Sequence, residues 1–180
     1  MLFYASISED RMRHIVVVFA IVRLLLTGDL FAQPKTSPPA IQWNSFDVGM
    51  EQARTTHKKV LVDVYTEWCG WCKKMDSEVY TDSVIIDYLS KNFVIIKMNA
   101  EGDGEIHYKG AEYSPAQFAA AFGVNGYPSI LFLGEDSQPI TLLPGFVEAP
   151  MFIHVLTFIA ENEYMKKQFS EYLKEGGVKQ

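Results

Sequence analysis

The sequence contains two cysteines and no others, set three apart as Cys69-Gly70-Trp71-Cys72. A bridge between cysteines this close encloses almost no chain, and the entropic part of a disulfide's stabilisation grows with loop length. The pair is therefore suited to redox chemistry rather than to stapling. The rival use of the same spacing is zinc, which takes four ligands. The chain offers no second cysteine pair, and His14, His57, His107 and His154 show no ligand-pair spacing. We expect no metal and no cofactor.

Thiol–disulfide exchange needs an attacking thiolate and a second thiol that resolves the mixed disulfide. A thiol at a helix N-terminus meets unpaired backbone N–H groups and the positive end of the helix dipole. Both lower its pKa from ~8.5 into a range of roughly 3.5–7.5. Cys69 is thus the expected nucleophile, and Cys72, one turn further in, the resolving thiol. Trp68, Gly70 and Trp71 surround the sulfurs, the two indoles offering a flat apolar surface that a partner can meet while shielding the pair.

These roles require a strand that ends and a helix that begins at the motif. Val60 to Tyr65 reads as a buried strand, and the cysteines open the helix after it. That helix runs toward Val79, or continues past a break near Thr81-Asp82-Ser83 through Ile85, Ile86 and Leu89. Before it, Ser45 to His57 suits a helix with Ser45 as N-cap. After it come a strand over Phe93 to Met98 and a glycine-rich loop from Gly102 to Gly110. A short helix opens on Ser114-Pro115 and ends near Gly123. Strands follow over Ser129 to Leu133 and Pro139 to Leu143, joined by a turn at Gly134-Glu135-Asp136, and then a helix from Glu148 almost to Gly176. Such alternation predicts an α/β fold: a central mixed sheet of four to five strands, helices on both faces and a C-terminal helical extension. Met165, Phe169, Tyr172 and Leu173 recur at helical spacing and are expected to pack along the fold.

The segment Val60 to Lys73, VLVDVYTEWCGWCK, resembles the active-site strand and helix of the thioredoxin superfamily, departing at Trp71, where thioredoxins carry proline. Asn125-Gly126-Tyr127-Pro128-Ser129 resembles the family's loop that holds a cis-proline opposite the dithiol. Lys97-Met98-Asn99 and Gly145 fall where the family places a lysine and a glycine. Together these cover residues 46–160. Within the superfamily, the segment Thr81–Leu89 and the exported context look more like the C-terminal domain of the periplasmic disulfide-interchange reductase, and like exported bacterial thioredoxin-like proteins of that branch, although residues 100–114 are longer than in thioredoxin. The resemblance implies that Asp63 is a buried carboxylate behind Cys72, with Lys97 as its partner, and that Tyr127 and Pro128 form the opposite wall of a substrate groove. A carboxylate in so apolar a run is costly unless it is paired or protonated. With a raised pKa it can take the Cys72 proton during resolution. Glu67 falls near the dithiol or at a solvated helix start.

The 180 residues carry a formal net charge of −6 with signs interspersed, which disfavours nucleic acid as a partner. Arg11 and Arg13 precede an apolar run over 15–26, interrupted by Arg23, and Ala32 then leads into polar Gln33-Pro34-Lys35. We read residues 1–32 as a signal peptide, with Met12 as a candidate start. The alternative is a retained anchor over 15–26, although this run is shorter than a membrane span. Residues 33–44 then form a linker or N-terminal segment and 45–176 the domain. The expected protein is a monomeric, exported reductase without a membrane span in its mature form. Its partners are thiol- or disulfide-containing proteins and an upstream electron donor. The rival readings are an oxidase or isomerase, and a peptide-binding module that uses the groove without turnover.

Overall fold

The computed structural model describes residues 40–178, which form one compact unit. The expected leader, and the linker as far as residue 39, lie outside the described residues. The elements are α1 (Phe46–Thr56), β1 (Lys59–Tyr65), α2 (Gly70–Lys74), a π turn (Met75–Val79), α3 (Ser83–Asn92) and β2 (Phe93–Asn99). After these come β3 (Ile106–Tyr108), β4 (Ala111–Tyr113), α4 (Pro115–Ala121), β5 (Ser129–Leu133), β6 (Pro139–Pro144), α5 (Ala149–Ala160), a 3-10 turn (Glu163–Met165) and α6 (Phe169–Lys174). The central sheet has the order β2-β1-β5-β6. β1 runs parallel to β2 and antiparallel to β5, which in turn pairs antiparallel with β6.

Side chains alternate across a strand, and both faces of this sheet are covered. Val60, Val62 and Val64 of β1 join Val94, Ile96 and Met98 of β2 beneath Phe46, Phe118 and Ala119. On the other face Leu61, Phe93 and Ile95 pack with Met75, Val79, Leu89, Phe152 and Leu156. Two-sided burial explains why the central strands read as nearly unbroken apolar runs. Asp63 and Lys97 fall in phase with Leu61 and Ile95, and they are register partners. Both therefore belong to the face covered by the helical segments that follow the cysteines.

Two sequence expectations need correction. The stretch from Gly102 to Gly110 is not only loop: β3 and β4 pair antiparallel as a small separate sheet, Ile106 opposite Tyr113. The terminal helix is not continuous, breaking at Asn162, whose φ of 59° is left-handed, and again before Phe169. Ser45 is the N-cap residue of α1, although its side chain makes no capping bond. In the segment before it, Ile41 and Trp43 pack against the core and Asn44 bridges Ile96. Ser114 does cap α4, in a reciprocal capping box with Gln117.

Helix α1 approaches β2 closely at Gly49, where a Cβ atom would overlap Cγ1 and Cδ1 of fully buried Ile96. Alanine is favoured over glycine in a helix by about 1 kcal/mol, whereas overpacking a core costs roughly 1–3 kcal/mol. We expect Gly49→Ala to lower stability by up to about 2 kcal/mol in urea denaturation. A variant more stable than the wild type would contradict this approach of α1 to the sheet.

Candidate active site

The dithiol sits where the sequence places it, at the junction of β1 and α2. Cys69 is the N-cap residue of α2, and its Sγ accepts a hydrogen bond from the backbone N–H of Cys72 at 3.0 Å. A sulfur held in this way meets the donors that stabilise a thiolate once the bond is reduced. Cys69 and Cys72 form a disulfide with Cα atoms 5.3 Å apart, and they are only 3% and 2% exposed. The tryptophans beside them are the reverse, Trp68 at 67% and Trp71 at 58%. Trp68 meets Tyr127 edge-to-face at 6.0 Å and donates its indole N–H to Glu101 at 2.9 Å. Trp71 lies 5.5 Å from Phe146, and the Lys74 ammonium sits over both rings. Gly70 is exposed, with open space where a Cβ would stand.

The peptide bond between Tyr127 and Pro128 is cis. Pro128 immediately precedes β5, whose Ser129 is level with Val64 near the end of β1. The proline loop and the cysteine motif therefore lie at the same end of the sheet. Glu67 accepts from the Tyr65 hydroxyl at 3.3 Å.

Asp63 is 1% exposed, and its Oδ2 lies 2.9 Å from the Lys97 Nζ. Burial drives its carboxyl up to about 6, against the pull of Lys97. The Lys97 ammonium reaches a second carboxylate, that of Asp76 on the π turn. Burial lowers the affinity of Lys97 for its proton, but the two carboxylates outweigh burial and hold it above the usual lysine value. The Tyr80 hydroxyl is fully enclosed. Burial first, and then the charges of Asp63 and Asp76, push it well above its ordinary value. Neither Asp63 Oδ1 nor the Tyr80 hydroxyl has a hydrogen-bond partner among the described residues. Three rings face the Lys97 ammonium: Trp43 at 4.7 Å, Tyr65 at 5.1 Å and Tyr80 at 5.4 Å.

The structure thus joins Asp63 to Lys97, the pair that the resemblance implies, and sets Trp68 against Tyr127. It adds Asp76, Tyr80 and Trp43, which sequence reasoning missed. The signal for Asp76 was faint, an acid four residues after Cys72 that follows two lysines and precedes Glu78.

The family model described as a thioredoxin-like domain matches residues 46–160. Among curated proteins, the thiol:disulfide interchange protein DsbD of Actinobacillus pleuropneumoniae is 28% identical over 101 residues, 55% of this chain and 16% of that protein. Protein disulfide-isomerase of Gallus gallus is 30% identical over 91 residues, 49% of this chain and 15% of that one. The chain spans only about a sixth of the length of these two relatives. Among solved structures, a thioredoxin-fold protein from Helicobacter pylori superposes with a TM-score of 0.61 at 18% identity, covering 78% of this chain and 87% of that one. A putative disulphide-isomerase from Bacteroides thetaiotaomicron gives 0.55 at 27% identity, covering 68% and 94%. The family match spans well over half of the chain and encloses the dithiol, the buried Asp63–Lys97 pair and Pro128; the chain belongs to the thioredoxin-like family.

Proposed function

We propose that the protein is an exported disulfide reductase that passes electrons from an upstream donor, through Cys69 and Cys72, to disulfides of other exported proteins. The buried Asp63 carboxylate, on the strand that delivers the cysteines, carries this reading. Strong oxidants of this fold are those whose reduced form is stabilised. A buried acid behind Cys72, the place that the family resemblance implies for Asp63, disfavours a second negative charge on sulfur, which supports the reducing direction. In each turnover the Cys69 thiolate attacks a partner disulfide, and one partner sulfur leaves with the electron pair. Asp63 then takes the Cys72 proton. The Cys72 thiolate attacks Cys69, closing the Cys69–Cys72 bond and releasing the second partner sulfur, which is protonated from solvent. Because the disulfide itself is nearly covered, a partner approaches it along the exposed faces of Trp68 and Trp71.

The test is equilibration with glutathione together with insulin reduction. We expect a potential near the thioredoxin value of about −270 mV. Loss of turnover is expected in Cys69→Ser, and accumulation of mixed disulfides in Cys72→Ser. A potential above about −180 mV, the value for protein disulfide isomerase, would favour the oxidase or isomerase reading. Equal trapping by both variants would reverse the assigned roles.

Export is the second part of the proposal, resting on the basic flank and apolar run that precede Gln33. No helix among the described residues is long and apolar enough to cross a membrane. N-terminal sequencing of the purified natural protein should find a chain beginning close to Gln33. A membrane-bound chain that begins at Met1 or Met12 would instead make the segment an anchor.

Asp63 also makes stability depend on pH. Its folded-state pKa of about 6 lies above the unfolded value, so the folded protein binds the extra proton. The associated stability is fully present below about pH 4 and is lost as pH rises through about 6. Two units correspond to about 3 kcal/mol as an upper limit. Asp63→Asn removes this loss while Lys97 keeps Asp76. We expect the variant to match the wild type near pH 4 and to exceed it by about 1–3 kcal/mol at pH 8 in denaturant titrations. A variant less stable at pH 8 would show that Asp63 is chiefly a structural partner of Lys97.

A further inference from the structure

Trp43 belongs to the segment that the sequence offers as linker, yet its backbone is fastened to the strand that carries Lys97. Asn44 donates its backbone N–H to the Ile95 carbonyl at 3.0 Å and its side-chain amide to the same oxygen at 3.1 Å. The Lys97 N–H donates back to the Asn44 carbonyl at 3.2 Å. These bonds hold Trp43, one residue earlier, beside Lys97. The Trp43 ring meets the ammonium at 4.7 Å and the ring of Tyr80 edge-to-face at 4.9 Å. Tyr80 is buried and packs onward against Phe152 at 6.1 Å, whereas Trp43 is half-buried. Trp43 is therefore a half-buried wall of an aromatic enclosure around a lysine that two carboxylates share.

We propose that Trp43 is a positioning residue for proton transfer at the dithiol: its ring covers Lys97 and keeps water from the Asp63 carboxyl. This rests on the reading above in which Asp63 takes the Cys72 proton. A cation over an indole gains about 0.5–1 kcal/mol where exposed and about 2 or more where desolvated. Excluding water sustains the desolvation that raises Asp63, the largest influence on that group. The charged and titratable groups facing Asp63 are Lys97 from β2, Asp76 from the π turn and Tyr80 just after it. Tyr65, hydrogen-bonded to Glu67, completes the enclosure from β1. Removing Trp43 leaves all of these in place and changes only what covers them.

Two measurements on the whole chain test this. The first follows the Asp63 carboxyl by NMR in the oxidised protein, where neither cysteine titrates. Opening the enclosure in Trp43→Ala should lower the inflection by about one unit, and Trp43→Phe, which keeps a ring, should stay near the wild type. Should Trp43→Ala fail to fold, Trp43→Leu takes its place; apolar cover without a ring should give a smaller displacement in the same direction. A wild-type inflection in every folded variant overturns the proposal. The second measurement is the pH dependence with which Cys72 resolves a preformed mixed disulfide on Cys69. We expect its acidic inflection to move with the NMR value in the Trp43 variants and to vanish in Asp63→Asn. An inflection that persists in Asp63→Asn removes the base role itself. One that vanishes there but stays fixed in the folded Trp43 variants overturns the role of Trp43 alone.

Discussion

A carboxylate in the middle of a strand covered on both faces must find a cation on its own face, and much of this site is arranged around that requirement. Asp63 lies in phase with Leu61, and Lys97 with Ile95, so the parallel register of β1 and β2 sets the two side by side. A slip of one residue would send every side chain of one strand to the opposite face, leaving an acid unpaired in an apolar core. The ion pair is therefore a strong constraint on the register. Desolvation still outweighs Lys97 at the carboxyl. A site whose proton is held between two such opposed influences is suited to releasing and recovering it near neutral pH.

The cysteines answer to different neighbours. Cys69 meets backbone N–H donors at the start of a helix, and Cys72 is enclosed one turn further on. A π turn follows directly, in which the Tyr80 N–H reaches back to the Met75 carbonyl at 3.0 Å. Insertions of this kind shift the angular position of everything after them and often mark functional sites. Here the π turn carries Asp76 to Lys97 and is followed by Tyr80, which sits under Trp43. The same short segment thus links the resolving cysteine to the charge cluster.

Much of this was legible because it is local. The run Val60–Tyr65 with a single acid, the cysteine spacing, the Ser114-Pro115 start and the pairing of Tyr127 with Pro128 are patterns within a few residues. What the sequence concealed is tertiary. The hairpin of β3 and β4 has strands of three residues, too short for alternation to stand out. Its turn uses left-handed backbone at Lys109 as well as at Gly110, and a lysine is no turn signal. The terminal helix breaks at Asn162 with neither glycine nor proline to announce it. Asp76 looks like an ordinary surface acid until β2 brings Lys97 to it. Trp43 follows a proline-rich stretch, and only the bridge from Asn44 to Ile96 brings it into the fold.

Two influences of opposite sign act on the dithiol, each on a different sulfur. Donors at the helix start favour a thiolate on Cys69 and so stabilise the reduced protein, which makes it a poorer electron donor. The charges of Asp63, Lys97 and Asp76 sum to −1 when all are ionised, and this net negative charge disfavours a further anion on Cys72. Where Asp63 and Cys72 share a proton their titrations belong to the pair rather than to either group, so reduction of the disulfide and protonation of Asp63 are linked. The first influence makes Cys69 reactive. In the proposed cycle the second favours surrender of the electrons once a mixed disulfide has formed, because closing the Cys69–Cys72 bond removes the charge that Asp63 would repel. On that proposal, keeping the two on separate sulfurs lets one short helix attack readily and still act in the reducing direction.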